Sequence, residues 1–252
     1  MALAGKHAFV TGGGRGIGRA VAAALARAGA TVTVIGRSEG PLQEAVAAGE
    51  AAGCGVADVC DVVEVKREIT AAEAARGPIA ILVNNAGSVE SGPFVKADPS
   101  VFHSMWNVHL MGAVYATQAV LPGMLERGFG RIVNVASTAG LKGYPYVSAY
   151  CAAKHALVGL TRALAAETAK RGVTVNAVCP GYADTELVRD SIDRVAAKTG
   201  RAHGDVLVDY VKDAPIGRLI KPQEVAAAVL YLCSPEAAAV TGTTLAVAGG
   251  EL

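Results

Sequence analysis

The stretch from Lys6 to Gly18 constrains the fold of this chain more than any other part of it. Lys6-His7-Ala8-Phe9-Val10-Thr11 has the content of a buried strand, and it runs without a linker into Gly12-Gly13-Gly14-Arg15-Gly16-Ile17-Gly18. A helical repeat of Ala and Leu follows at once, and Gly29 closes it. Strand, glycine turn and helix N-terminus in this order make an anion site. Glycines let a pyrophosphate reach the backbone, while free amide groups and the helix dipole attract its charge. Thr31-Val32-Thr33-Val34-Ile35 then supplies a second strand where a mononucleotide-binding unit needs one. Gly12, Arg15, Gly16, Ile17 and Gly18 are therefore candidates to cradle dinucleotide phosphates.

A second constellation is chemical. Tyr150 and Lys154 are spaced to share one face of a helix, and Ser137 precedes them in the loop composition Ser137-Thr138-Ala139-Gly140. A free tyrosine loses its proton near pH ~10, so service as a base near neutrality requires the phenolate to be stabilised by roughly 4 kcal/mol. One ammonium about 4 Å away supplies roughly that much at an effective dielectric near 20. Lys154 is thus expected to hold the Tyr150 phenol well below its ordinary range. The alternative is a pair of polar residues on a solvated helix turn.

Taken together, Thr11-Gly12-x-x-x-Gly16-x-Gly18, Asn84-Asn85-Ala86-Gly87, Ser137, Tyr150-x-x-x-Lys154 and Pro180-Gly181 resemble the short-chain dehydrogenase/reductase family, in the family's order and over almost the whole chain. The resemblance implies a Rossmann-type fold, a nicotinamide cofactor and hydride transfer between a carbonyl and an alcohol. It makes Tyr150 the proton donor in reduction and Ser137 the group that orients the same oxygen. Lys154 would hold the nicotinamide ribose and, with the positive ring of the oxidised cofactor, lower the pKa of Tyr150. Asp58 and Val59 match the adenine contact, Asn85, Ala86, Gly87, Pro180 and Gly181 flank the cofactor, and Thr185 matches the residue that holds the carboxamide. Two departures stand out. His109 replaces an Asn whose main-chain carbonyl holds the first water of a proton relay in the family, and its imidazole either shuttles protons or is simply packed. Ala248-Gly249-Gly250 stands where many relatives carry Asp-Gly-Gly.

Cofactor choice is read at the end of the second strand. Folds that prefer NAD place an acid there for the ribose hydroxyl, whereas this chain has Gly36 followed by Arg37. A guanidinium with no neighbouring carboxylate favours the 2′-phosphate of NADP(H) by about 1.5–3 kcal/mol, with Arg15 as a second cation. If Arg37 only reaches water, NAD(H) serves as well.

Strands near 6–11, 31–36, 54–58, 79–84, 130–136, 173–179 and 243–247 alternate with helices near 16–29, 40–52, 62–76, 99–127, 149–171 and 222–233. Residues 1–252 read as a single domain of the α/β class: a Rossmann-type, doubly wound parallel sheet of about seven strands with helices on both faces. Segments 185–198 and 204–213 belong to no strand–helix unit and read as a substrate lid around 185–213. Its Arg189, Arg194, Lys198 and Arg201 either meet the phosphates of a coenzyme A or carrier thioester or balance Glu186, Asp190 and Asp193 on a solvated helix.

A net charge of +1 supplies no field for nucleic acid or an anionic membrane. The five cysteines include no Cys-x-x-Cys pair, so neither a disulfide framework nor a metal site is indicated. The absence of a charged leader or a long apolar run points to a cytoplasmic protein without a membrane segment. Residues 123–127, 135–138 and 175–180 resemble ketoreductases of β-ketoacyl substrates, so a 3-oxoacyl or 3-hydroxyacyl thioester is expected. The alternatives are a free secondary alcohol or ketone, bound near Tyr144, Tyr146 and Tyr182, and a non-catalytic nucleotide-binding protein. Helices 99–127 and 149–171 carry more apolar faces than one sheet needs, with Ala152, Ala153, Ala156, Leu157, Leu160 and Leu164 on the second; in the proteins this chain resembles they pack between subunits, so the resemblance implies a homotetramer, with a dimer as the alternative.

Overall fold

The computed structural model describes residues 1–252. Its strands are β1 (His7–Thr11), β2 (Thr31–Gly36), β3 (Gly53–Val56), β4 (Ile79–Asn84), β5 (Gly130–Val135), β6 (Val173–Pro180) and β7 (Thr244–Val247). They form one sheet in the order β3-β2-β1-β4-β5-β6-β7, and every pairing is parallel. Every residue of β1, β4, β5 and β6 is buried, as expected of strands covered on both faces. Side chains alternate between two cores. Ala8, Val10, Val34, Val83 and Val133 join α1 (Gly16–Arg27), α2 (Glu39–Ala47) and α9 (Pro222–Cys233) on one face. Phe9, Ile35, Leu82 and Ile132 meet α3 (Val62–Arg76), α5 (Gly112–Arg127) and α6 (Ser148–Thr168) on the other.

The strand order reverses between β1 and β4, and that switch point opens a crevice at the carboxyl ends of the strands. Thr11, Asn84, Val135 and Pro180 end their strands on this edge, which is where the chemical motifs begin.

One expectation is refined and one corrected. The helix predicted over 99–127 runs without a break, but not uniformly: α4 (Pro99–Trp106) passes through a π turn, Asn107–Met111, into α5. The extra residue in that turn brings His109 inward, where it is buried. The third strand ends at Val56 rather than 58, because Asp58 already belongs to the turn capped by Asp61, whose carboxylate accepts from Val63 N and Glu64 N. The lid segment folds as α7 (Glu186–Thr199) and α8 (His203–Val211), which pack on each other through Ile192, Ala196 and Val206.

Candidate active site

The turn after β1 is shaped by close backbone approach. A Cβ on Gly18 would lie 2.2 Å from Gly12 O, so only glycine lets α1 begin directly against the turn. Gly12, Gly14 and Arg15 line a cleft of about 280 Å³ together with Arg37, Asp58, Val59, Ala86 and Gly87. Arg15 and Arg37 are both exposed there, although Arg15 Nη1 lies 2.7 Å from Glu186 Oε2 at the start of the lid. Asp58 Oδ1 accepts from Cys60 N at 2.9 Å, which fixes the carboxylate at the cleft wall.

Other predicted residues sit behind this surface. Asn85 does not line the cleft: its Nδ2 donates to Thr11 O at 3.0 Å and Gly12 O at 3.2 Å, bracing the turn from below. Thr185 caps α7 and lies against the turn, since a Cβ on Gly16 would be 3.1 Å from its Cγ2. Pro180 ends β6, and Gly181 N donates to Val247 O at 3.1 Å, joining that loop to β7.

Ser137, Tyr150 and Lys154 converge next to the cleft. Ser137 follows β5 and its Oγ accepts from Ala139 N at 3.1 Å. Lys154 is buried; its Nζ donates to Val135 O at 2.8 Å and lies 5.6 Å from the centroid of the Tyr150 ring. His109 stands edge-on to the same ring, with centroids 5.1 Å apart. Its Nε2 donates to Ser88 O at 2.7 Å, which leaves Nδ1 as a bare acceptor. Nδ1 and Asn84 Oδ1 are both buried without a partner, and His109, Asn84 and Lys154 line one inner cavity of about 10 Å³.

The electrostatics correct the expectation for Tyr150. Burial pushes its phenol up to about 12, against a smaller lowering by the Ser137 hydroxyl. Burial also pushes Lys154 down to about 7. The protein's own groups thus make Tyr150 an acid that keeps its proton at neutral pH. Burial dominates both shifts: Lys154 Nζ lies 5.6 Å from the ring centroid and donates to a backbone carbonyl, while each group is desolvated. His109 is pushed well below its ordinary value by burial and then by Lys154, so its ring is neutral.

Several lining residues escape a reading of the sequence. Ser38, Pro41 and Leu42 face the cleft from the start of α2, a position signalled only by following Arg37. Asn84 lines the inner cavity beside the predicted Asn85, and nothing in its local sequence marks that role. On the lid, Arg189 pairs with Asp184 at 2.8 Å and Arg201 with Asp209 at 2.7 Å, as a solvated helix surface does.

A doubly wound parallel sheet with a glycine-lined cleft at its switch point, and a phenol, hydroxyl and ammonium at the cleft's edge, defines a dinucleotide-dependent oxidoreductase acting on CH–OH groups. The sequence profile of the family described as short chain dehydrogenase matches residues 6–196, and the chain belongs to that family. It is similar to 2-(S)-hydroxypropyl-CoM dehydrogenase 3 of Xanthobacter autotrophicus, with 42% identity over 96% of this chain and 94% of the relative. It is also similar to acetoacetyl-CoA reductase of Shinella zoogloeoides, at 38% identity over 98% of both chains. The crystal structure of a single-site variant of actinorhodin polyketide ketoreductase with NADPH superposes with a TM-score of 0.93 at 37% identity, covering 98% of this chain and 97% of that one.

Proposed function

We propose that the chain reduces a 3-oxoacyl thioester to the 3-hydroxyacyl thioester, and runs the reverse oxidation, with NADP(H) as the preferred cofactor. The observation that carries this reading is the convergence of Ser137, Tyr150 and Lys154 beside a cleft whose glycine turn and two arginines suit a phosphorylated dinucleotide. The residues fit such a group. Backbone amides of the turn and the α1 N-terminus take the pyrophosphate, Arg37 and Arg15 the 2′-phosphate, and Asp58 the adenine edge. When bound, a reduced nicotinamide supplies hydride to the carbonyl carbon. Tyr150 gives its proton to the carbonyl oxygen, which Ser137 orients, and Lys154 supports the phenolate left behind. The inner cavity suits one water: it would donate to Asn84 Oδ1 and His109 Nδ1 and accept from Lys154, which retains hydrogens beyond the one given to Val135 O. His109, neutral, holds that water and does not itself carry the proton.

The acetoacetyl-CoA reductase and ketoreductase likenesses support the thioester substrate. A free secondary alcohol or ketone is the second reading, favoured by one feature. Tyr182 packs between Tyr144, with centroids at 6.2 Å, and Tyr210, at 4.6 Å, which walls the lid side with aromatic rings. Exposed apolar side chains such as Trp106 and the half-buried Leu160 and Leu164 fit burial between subunits, and we infer a homotetramer, whose mass light scattering would give.

A panel of acetoacetyl-CoA, aryl ketones and cyclic ketones, assayed with NADPH and NADH by loss of nicotinamide absorbance, tests both readings. The first predicts the highest kcat/KM on the thioester with NADPH; turnover of ketones alone replaces it with the second.

A further inference from the structure

The connection between Ser137 and the helix that carries Tyr150 is residues 138–147, and it is held in an unrelaxed shape. Tyr146 has φ 67, the one residue other than glycine in the left-handed region. Such a conformation persists only where the surroundings impose it. Tyr146 O accepts from Gly92 N at 2.8 Å on one side. On the other side, two side chains of the connection converge on one carboxylate. The Tyr144 hydroxyl donates to Glu251 Oε1, and Lys142 Nζ lies 3.1 Å from the same atom. The Glu251 side chain is only 4% exposed, and Gly181 makes room for it: a Cβ there would lie 3.0 Å from Oε2. Thr138, adjacent to Ser137, has its Oγ1 2.7 Å from the Tyr144 hydroxyl and can donate to it, so the carboxylate is linked to the Ser137 end through two hydrogen bonds. Burial, and after it Glu251, hold the Tyr144 phenol above its ordinary value, so it remains a donor.

We propose that Glu251 is a positioning residue for the reaction: through Tyr144 and Lys142 it fixes the connection that sets Ser137 against Tyr150. The kinetic part rests on the function proposed above; the structural part does not. Neither Glu251, Tyr144 nor Lys142 lines the dinucleotide cleft, and Tyr144 instead packs edge-on against Tyr182, 6.2 Å between centroids, on the lid side.

The test compares the full chain with Glu251→Gln, which keeps the shape and removes the charge, and Tyr144→Phe, which keeps the charge and removes the donor. Amide exchange in 138–147 is expected to accelerate about tenfold in both variants while the strands keep their protection. Ketone reduction is expected to lose about tenfold or more in kcat, with the dissociation constant for NADPH unchanged. Unchanged exchange in 138–147 overturns the latch whatever the enzyme turns over. Faster exchange with wild-type kcat and KM overturns its role in positioning. Faster exchange in an enzyme whose wild type reduces no carbonyl leaves the latch standing and removes the proposed function instead. Should Glu251→Gln fail to fold, Tyr144→Phe decides alone.

Discussion

Lys154 is an ammonium buried in the folded chain with one backbone carbonyl as its hydrogen-bond partner, and that arrangement opposes folding. Its value falls from 10.5 unfolded to about 7 folded, so between those values the unfolded chain binds more protons and stability rises with pH. The full penalty is present below about pH 7 and vanishes above 10.5. Replacing Lys154 by Met should therefore raise Tm by several degrees at pH 6.5 and lose that advantage as the pH approaches 10; calorimetry across this window checks the sign. At the cleft, Arg37 is exposed, and the proposed preference for NADPH rests on it. Arg37→Ala should raise KM for NADPH by about 10- to 100-fold, as loss of a charge-assisted contact of roughly 1.5–3 kcal/mol requires, and leave KM for NADH nearly unchanged. Steady-state kinetics with the two cofactors separates these outcomes. The positions of Tyr150 and Lys154 were legible from their spacing on a helix, yet their protonation was not. Spacing sets which side chains meet, whereas desolvation depends on everything packed around them.

Among elements, the amide chain across the sheet centre joins parts that sequence keeps far apart. Asn84 Nδ2 on β4 donates to Asn134 Oδ1 on β5 at 2.8 Å and lies 3.3 Å from Thr117 Oγ1 on α5, while Asn134 Nδ2 donates to Thr161 Oγ1 on α6 at 2.8 Å. All four residues are buried. Asn134→Ala leaves partners on both sides without their bonds, and should cost about 2–4 kcal/mol, read as a lower midpoint in urea with an unchanged slope. The strands of this sheet were legible because most are short runs rich in Val and Ile, as in Ile79-Ala80-Ile81-Leu82-Val83, and helix starts were legible from Gly16 and Pro222. The π turn at His109 was not. Its neighbours Asn107-Val108 and Leu110-Met111 continue the helical pattern, and the extra residue answers to packing that sequence alone does not display.

At the scale of the molecule, both cores share one sheet, and the cleft sits beyond the carboxyl ends of β1, β2, β3 and β4, so a dinucleotide that binds only the folded cleft adds to global stability. Saturating NADPH at about 100 times its dissociation constant should stabilise the fold by about 2.7 kcal/mol, seen as a Tm increase of several degrees, and NADH at the same concentration by less. The order of motifs along the chain made this architecture legible, because each motif follows a strand at its carboxyl end. Contacts reaching across the chain, such as Arg15 to Glu186 or Tyr144 to Glu251, belong to the folded arrangement and leave no local pattern. Reduction as proposed turns on the half-buried, protonated phenol of Tyr150, which delivers the proton to the carbonyl oxygen. Tyr150→Phe tests it most directly, with ketone reduction followed by nicotinamide absorbance and NADPH binding followed by fluorescence. In this variant kcat is expected to fall by about 10²- to 10⁴-fold while NADPH binds as before; kcat within about threefold of the wild type would remove Tyr150 as the proton donor.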